Sequence, residues 1–117
     1  MINFRAEETQ KEYAAYLLAL NRNECQFCSA IGTKQEVARH GKYVVLQNRF
    51  PYDAVFGEHL LIVPIKHQDT FVNAERDEIS EIVEKHYPRY AAFENLPCSR
   101  SVKNHAHVHL VLPKGKK

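Results

Sequence analysis

His105-Ala106-His107-Val108-His109-Leu110-Val111 is the stretch on which the reading of the whole chain turns. Histidine alternates with apolar residues at a period of two, the repeat of a β-strand, in which successive side chains point to opposite faces. Residues two apart lie about 6.6 to 6.8 Å from each other along such a strand. Three imidazoles therefore share one face, and Ala106, Val108 and Leu110 share the other. The expectation is a strand from His105 to Leu112, ended by Pro113, with its apolar side in the core and its histidines on an accessible surface. Folding does not call for such a row, because histidine is an average strand former and neighbouring cations repel. Chemistry offers two reasons for it. Neutral imidazole is a metal ligand, and it is also a nucleophile or general acid near neutral pH. Spacing alone leaves a three-histidine metal centre and a nucleophilic site both open.

Upstream of this strand the chain reads as a mixed α+β pattern. Tyr13, Tyr16, Leu17 and Leu20 recur at helical spacing between Ala6 and Leu20, which predicts an amphipathic covering helix ended by Asn21-Arg22-Asn23. Cys25 and Cys28 follow in an expected loop. Glu36 to Arg39 and Tyr43 to Gln47 read as a hairpin through His40-Gly41-Lys42, with the glycine free to take positive φ. Asn48 to Asp53 contains a proline and no alternation, so it reads as a loop of the kind that holds ligands. His59-Leu60-Leu61-Ile62-Val63-Pro64-Ile65 is the most hydrophobic run and the expected central strand. Ile79, Ile82, Val83, His86 and Tyr90 predict a long helix capped by Asn73 or Asp77 and kinked or ended at Pro88. A further strand is expected over Ser101-Val102-Lys103. The sum is an antiparallel sheet of about five strands, covered on one face by a long helix, with an additional N-terminal helix.

The 117 residues suit one domain, and 44% hydrophobic content suits a single core. Its expected parts are an N-terminal helical extension over 1–24, a core over 25–113 and a basic tail over 114–117. No repeat, linker or low-complexity segment interrupts it. A formal charge of +2 is too small for an extended phosphate-binding surface, so no nucleic-acid partner is expected. No window approaches the roughly 18 apolar residues of a membrane span, and the start lacks the apolar run of a signal peptide. The expected location is therefore the cytoplasm, with no membrane partner. Three cysteines do not make a secreted disulfide framework. Cys25-x-x-Cys28 has the spacing for one tetrahedral Zn²⁺, whereas Cys98 reads as a small buried hydrophobe.

The sequence resembles the histidine triad (HIT) superfamily on three ordered segments. All seven positions from His105 to Val111 fit its signature His-φ-His-φ-His-φ-φ, where φ is apolar. His59 to His67 resembles its His-φ-φ-φ-φ-Pro-x-Lys-His strand. Asn48-Arg49-Phe50-Pro51 resembles the Asn-Arg-x-Pro of the dinucleotide-hydrolase branch and the Asn-x-Phe-Pro of the galactose-1-phosphate uridylyltransferase branch. With the cysteine pair, the resemblance spans residues 25 to 113.

That resemblance implies a nucleotide hydrolase or nucleotidyl transferase, homodimeric as in much of the family. His107 is its nucleophile toward the α-phosphorus, giving a covalent nucleotidyl-histidine that is resolved by water or by a phosphate acceptor. In the family, the other ring nitrogen of this residue donates to a backbone carbonyl. His109 would attend the phosphate oxygens or leaving group, and Asn48 would approach the ribose hydroxyls. Ser101 is a candidate phosphate ligand, displaced by one position from the family's Ser or Thr. Asn104 resembles the Asn of an Asn-His-x-His found in nucleotide phosphorylases. The transferase branch usually carries Gln in place of the third histidine, so His109 favours the hydrolases. A structural zinc would be held by Cys25, Cys28, His67 and His105. His59 reads as mainly structural, and His40 and His86 have no motif partners. Two other functions compete: a hydrolase whose three strand histidines bind one catalytic metal, and a non-catalytic zinc-stabilised nucleotide-binding module.

Overall fold

The most apolar run of the chain lies at the heart of its sheet. In the computed structural model, which describes residues 4–20, 24–96, 102 and 104–114, eight elements follow one another. They are α1 (Glu7–Ala19), α2 (Gln26–Ala30), β1 (Glu36–His40), β2 (Tyr43–Gln47), β3 (Phe56–Pro64), α3 (Asn73–His86), β4 (Ala91–Phe93) and β5 (Val108–Pro113). The strands form one antiparallel sheet in the order β1-β2-β3-β5-β4. Mixed α+β architecture with a five-stranded sheet is thus the fold, as expected.

The β1–β2 hairpin turns at Gly41, whose φ of 62° is the left-handed conformation that glycine adopts without steric cost. Leu46 lies opposite Leu61, and Leu61 lies opposite His109, which puts these three side chains on one face of the sheet. Val45, Ile62 and Val108 are likewise matched on the other. There Ile79, Ile82 and Val83 of α3 pack over Tyr43, Leu60, Ile62, Val108 and Leu110. The helix begins at Asn73 instead of being capped by it or by Asp77. The Val72 N–H donates to the Glu75 carboxylate at 2.9 Å, and Pro88 lies just past the helix end at His86. Tyr90, expected on the helix, lies beyond it and still packs against the same core.

The second face is where the expectations need correcting. It is not solvated: Phe27 and Ala30 of α2 cover Val44, Leu46, Leu61 and Val63, with Val102 beside them. His105, His107 and His109 are all buried, and regular strand geometry begins only at Val108. The cysteine pair lies on a short helix, not in a loop, because the Cys25 sulfur caps α2 by accepting from the Cys28 N–H at 3.5 Å. The fifth strand is β4, which the sequence reading missed. The expected strand over Ser101-Val102-Lys103 falls, apart from Val102, outside the described residues, as does Cys98. Of the expected apolar face of α1 only Tyr13 is buried, against Phe50 at 4.9 Å between ring centres, while Leu17 and Leu18 are exposed.

Candidate functional site

Two side-chain clusters meet at the turn that enters β5. The first is made of sulfur and imidazole. Cys25 Sγ is 3.2 Å from His105 Nδ1, and Cys28 Sγ is 3.2 Å from His67 Nδ1 and 3.5 Å from His105 Nδ1. The four ligand atoms all lie within 4.8 Å of one another. Bonds of about 2.0 to 2.3 Å to a tetrahedral ion separate its ligands by roughly 3.4 to 3.8 Å, so the cluster could hold one metal ion after small adjustments. Its supporting shell fits as well. The His105 Nε2–H donates to the Pro64 carbonyl at 3.0 Å, which leaves Nδ1 as the ligand nitrogen. The Ala106 N–H donates to the Gln68 carbonyl at 2.7 Å and keeps His67 beside His105. Burial, followed by the neighbouring Cys25 sulfur, pushes the Cys28 thiol up to about 11. Among the described residues this is the one group placed to bind a metal, and it includes neither His107 nor His109.

The second cluster is a proton-ordered chain of histidines. The His107 Nδ1–H donates to the His105 carbonyl at 2.9 Å, which puts the ring's lone pair on Nε2. Phe27 sets its edge against this ring at 4.9 Å. The Tyr52 backbone N–H, which can only donate, lies 3.0 Å from His59 Nδ1. A neutral His59 therefore carries its proton on Nε2 and donates to His109 Nδ1 at 2.8 Å. His109 is thus left with its own proton on Nε2, which lies 3.3 Å from the Asn95 side-chain nitrogen, so the Asn95 amide must turn its oxygen to this position to accept it. The His109 ring lies between Phe93, stacked at 4.8 Å, and Tyr52, stacked at 5.3 Å.

Burial, followed by the charges of His107, His59 and Arg5, lowers His109 to about 2; burial, Arg5 and His107 lower His59 to about 4. Both are neutral at physiological pH. Because these folded-state values lie below the ordinary 6.5 of a solvated imidazole, the unfolded chain binds more protons between the two. Stability from this pair is complete above pH 6.5 and is lost as pH falls through the window toward 4. Equilibrium urea unfolding at pH 7.5, 6.0 and 5.0 should show this loss, up to about 1.4 kcal/mol per pH unit for each histidine. His59→Asn should flatten the profile; an unchanged slope in that variant would remove the pair as its cause.

His107 and His109 line a small cavity with Asn48, Arg5, Tyr52 and Asn95. Its volume of about 20 Å³ is room for about one water. Asn48 is drawn into this cluster: its side-chain nitrogen lies 3.2 Å from His59, and its oxygen accepts from the Phe50 N–H at 2.8 Å. Asn104 is exposed on the turn just before His105, and Ser101 lies outside the described residues. The structure therefore brings together Asn48, His107 and His109, and separately Cys25, Cys28, His67 and His105. His59 takes part in the second cluster, a role that its place on the same sheet face as His109 would have suggested. Arg5, Tyr52 and Asn95 carried no motif by which to find them.

The sheet order and the long helix across one face are those of a HIT-like fold. A histidine triad protein from Clostridium difficile shares it with a TM-score of 0.55 and 26% identity, over 84% of this chain and 96% of that one. So does a HIT family hydrolase from Legionella pneumophila Philadelphia 1, with a TM-score of 0.57 and 22% identity over 80% and 95%. More narrowly, the chain belongs to the family described as "Domain of unknown function (DUF4922)", whose model matches residues 12–111. No curated protein matches it.

Proposed function

We propose that this protein is a nucleotide hydrolase or nucleotidyl transferase that acts at an α-phosphate through a covalent intermediate on His107. The observation that carries the reading is the His107 Nδ1–H bond to the His105 carbonyl, which presents Nε2 as nucleophile in a cavity shared with His109 and Asn48. The Nε2 lone pair forms a bond to phosphorus as the bond to the leaving group breaks, and a second acceptor then reverses the exchange. His109, with its proton on Nε2, is suited to donate to the leaving group or to a phosphate oxygen. Asn48 serves the ribose, with Ser101 and Asn104 as phosphate contacts.

Cys25, Cys28, His67 and His105 are read as ligands of a structural Zn²⁺. Their two thiolates and two imidazoles close a tetrahedron and leave no place for substrate. The third histidine favours water as acceptor, while the loop Asn48-Arg49-Phe50-Pro51 keeps the transferase branch in view. Residues 25–113 form the catalytic core, with 1–24 an extension and 114–117 a tail. Homodimerisation through the open edge at β4 agrees with its terminal place in the sheet. Among the described residues no helix is long and apolar enough to cross a membrane. A catalytic metal on all three histidines is disfavoured because His105 turns Nδ1 to the two cysteine sulfurs and commits Nε2 to the Pro64 carbonyl, so it has no nitrogen left for a site shared with His107 and His109.

The test is labelling with α-phosphorus-labelled nucleoside diphosphates and phosphoramidates, quenched in alkaline detergent. Label should appear, be lost in mild acid and map to His107. Label elsewhere, or none across purine and pyrimidine substrates, would overturn the proposal.

A further inference from the structure

The chain segment ahead of α1 lies outside the three stretches that carry the family resemblance, yet it enters the histidine cavity. Arg5 and Tyr13 both line it. The segment is clasped by Asp53, which accepts from the Ala6 N–H at 2.8 Å and from the Thr9 hydroxyl at 2.5 Å. The Ala54 N–H donates to the Phe4 carbonyl at 2.9 Å, and the Phe4 ring packs on Tyr52 at 5.3 Å. Phe4, Arg5 and Ala6 are thereby held beside the histidine cavity.

Arg5 is held in one pose. Its Nε–H donates to the Phe50 carbonyl at 2.8 Å, and its guanidinium carbon lies 4.3 Å from the Tyr13 ring centre and 5.0 Å from that of Tyr52. A planar guanidinium suits this place between rings as a lysine ammonium would not. Among the described residues lining the cavity it is the one lysine or arginine. His109 and His59 are neutral there, so Arg5 is the permanent positive charge at a site that must receive anions.

We infer that Arg5 is a substrate-binding residue that grips a phosphate beyond the one attacked by His107, so that the site prefers leaving groups that are phosphates over those that are amines. This rests on the reading of His107 as nucleophile. In the attack the Nε2 lone pair forms the N–P bond, the bond from phosphorus to the leaving atom breaks, and its electron pair departs on that atom. A departing phosphate oxygen gains negative charge, which a guanidinium stabilises without moving a proton. A departing amine needs a proton, which a group that stays charged at all working pH values does not give. The cavity of about 20 Å³ does not admit a phosphate as it stands. Entry therefore requires the lining of the cavity to move.

The experiment compares wild type, Arg5→Ala and Arg5→Lys on adenosine and guanosine 5′-diphosphates and on the matching 5′-phosphoramidates. Calorimetry with inorganic tripolyphosphate is run in parallel. Arg5→Ala should lower kcat/KM on the diphosphates by about 10- to 100-fold, the range of a hydrogen bond to a charged group, and change the phosphoramidates by less than about threefold. Arg5→Lys should recover part of the loss, and tripolyphosphate affinity should fall with Arg5→Ala. Equal losses on both substrate classes, or none on either, would overturn the inference while leaving His107 in place. Tripolyphosphate binding that depends on Arg5 in a protein without turnover would overturn the catalytic reading and the leaving-group preference together, and keep Arg5 as a phosphate contact alone. Neither binding nor turnover in wild type would end both.

Discussion

Replacing His107 by Ala should lower kcat/KM by about a thousandfold or more, whichever nucleotide proves to be the substrate. Removing a covalent nucleophile deletes the pathway that divides one displacement into two, and losses of this order or larger follow in enzymes built that way. His107→Asn is the stricter probe, because its amide can still donate to the His105 carbonyl and it leaves a smaller gap beside Phe27. Thermal melts of both variants should stay near wild type, so that lost turnover is not lost fold. Steady-state rates together with the acid-labile label decide the matter. A variant that retains more than about a tenth of wild-type activity would make His107 an accessory group and throw weight onto His109.

The second large effect is expected at the sulfur–imidazole cluster. Cys28→Ser should abolish stoichiometric zinc, measured by native mass spectrometry, and cost about 3 kcal/mol or more, lowering Tm by about 10 to 20 °C. The cluster joins three places far apart in sequence: α2, the segment after β3 and the turn into β5. Activity should fall with stability, since the carbonyl that orients His107 belongs to His105. Chelation of the wild-type protein should reproduce the variant, and readdition of Zn²⁺ should reverse it. A purified protein that is metal-free, fully folded and unaffected by Cys28→Ser would show the four residues to be remnants of a lost site.

Much of this was legible from residues alone, and the failures share a cause. The turn at Gly41 found the hairpin, the continuous hydrophobic run the central strand and period-two alternation β5, because those signals are local. α2 spans only five residues, too few for a helical period to show, and its start depends on a cysteine sulfur serving as a cap. Ala91-Ala92-Phe93 has weak strand preference; it is a strand because β5 offers it an unpaired ladder. The burial of the triad was missed for a related reason. An alternating pattern says which side chains share a face, but what covers that face is decided by α2 and the N-terminal segment. The metal cluster was found because the resemblance assigned all four residues. The partnership of His59 with His109, 50 positions apart, needed the register of β3 against β5.

The two rims of the sheet are unlike. At β1 the pairing is broken by a bulge between Glu36 and Ala38, and the Glu36 carboxylate is tied to Arg39 at 2.8 Å, so a foreign strand meets an uneven, charged border. At β4 the border is a short run of Ala91, Ala92 and Phe93, and among the described residues no strand pairs with its outer side. Strand addition is therefore favoured at β4 over β1. In the proposed homodimer a second copy joining rim to rim about a twofold axis would use up that edge for both, and the assembly would close at two copies instead of growing as a fibre.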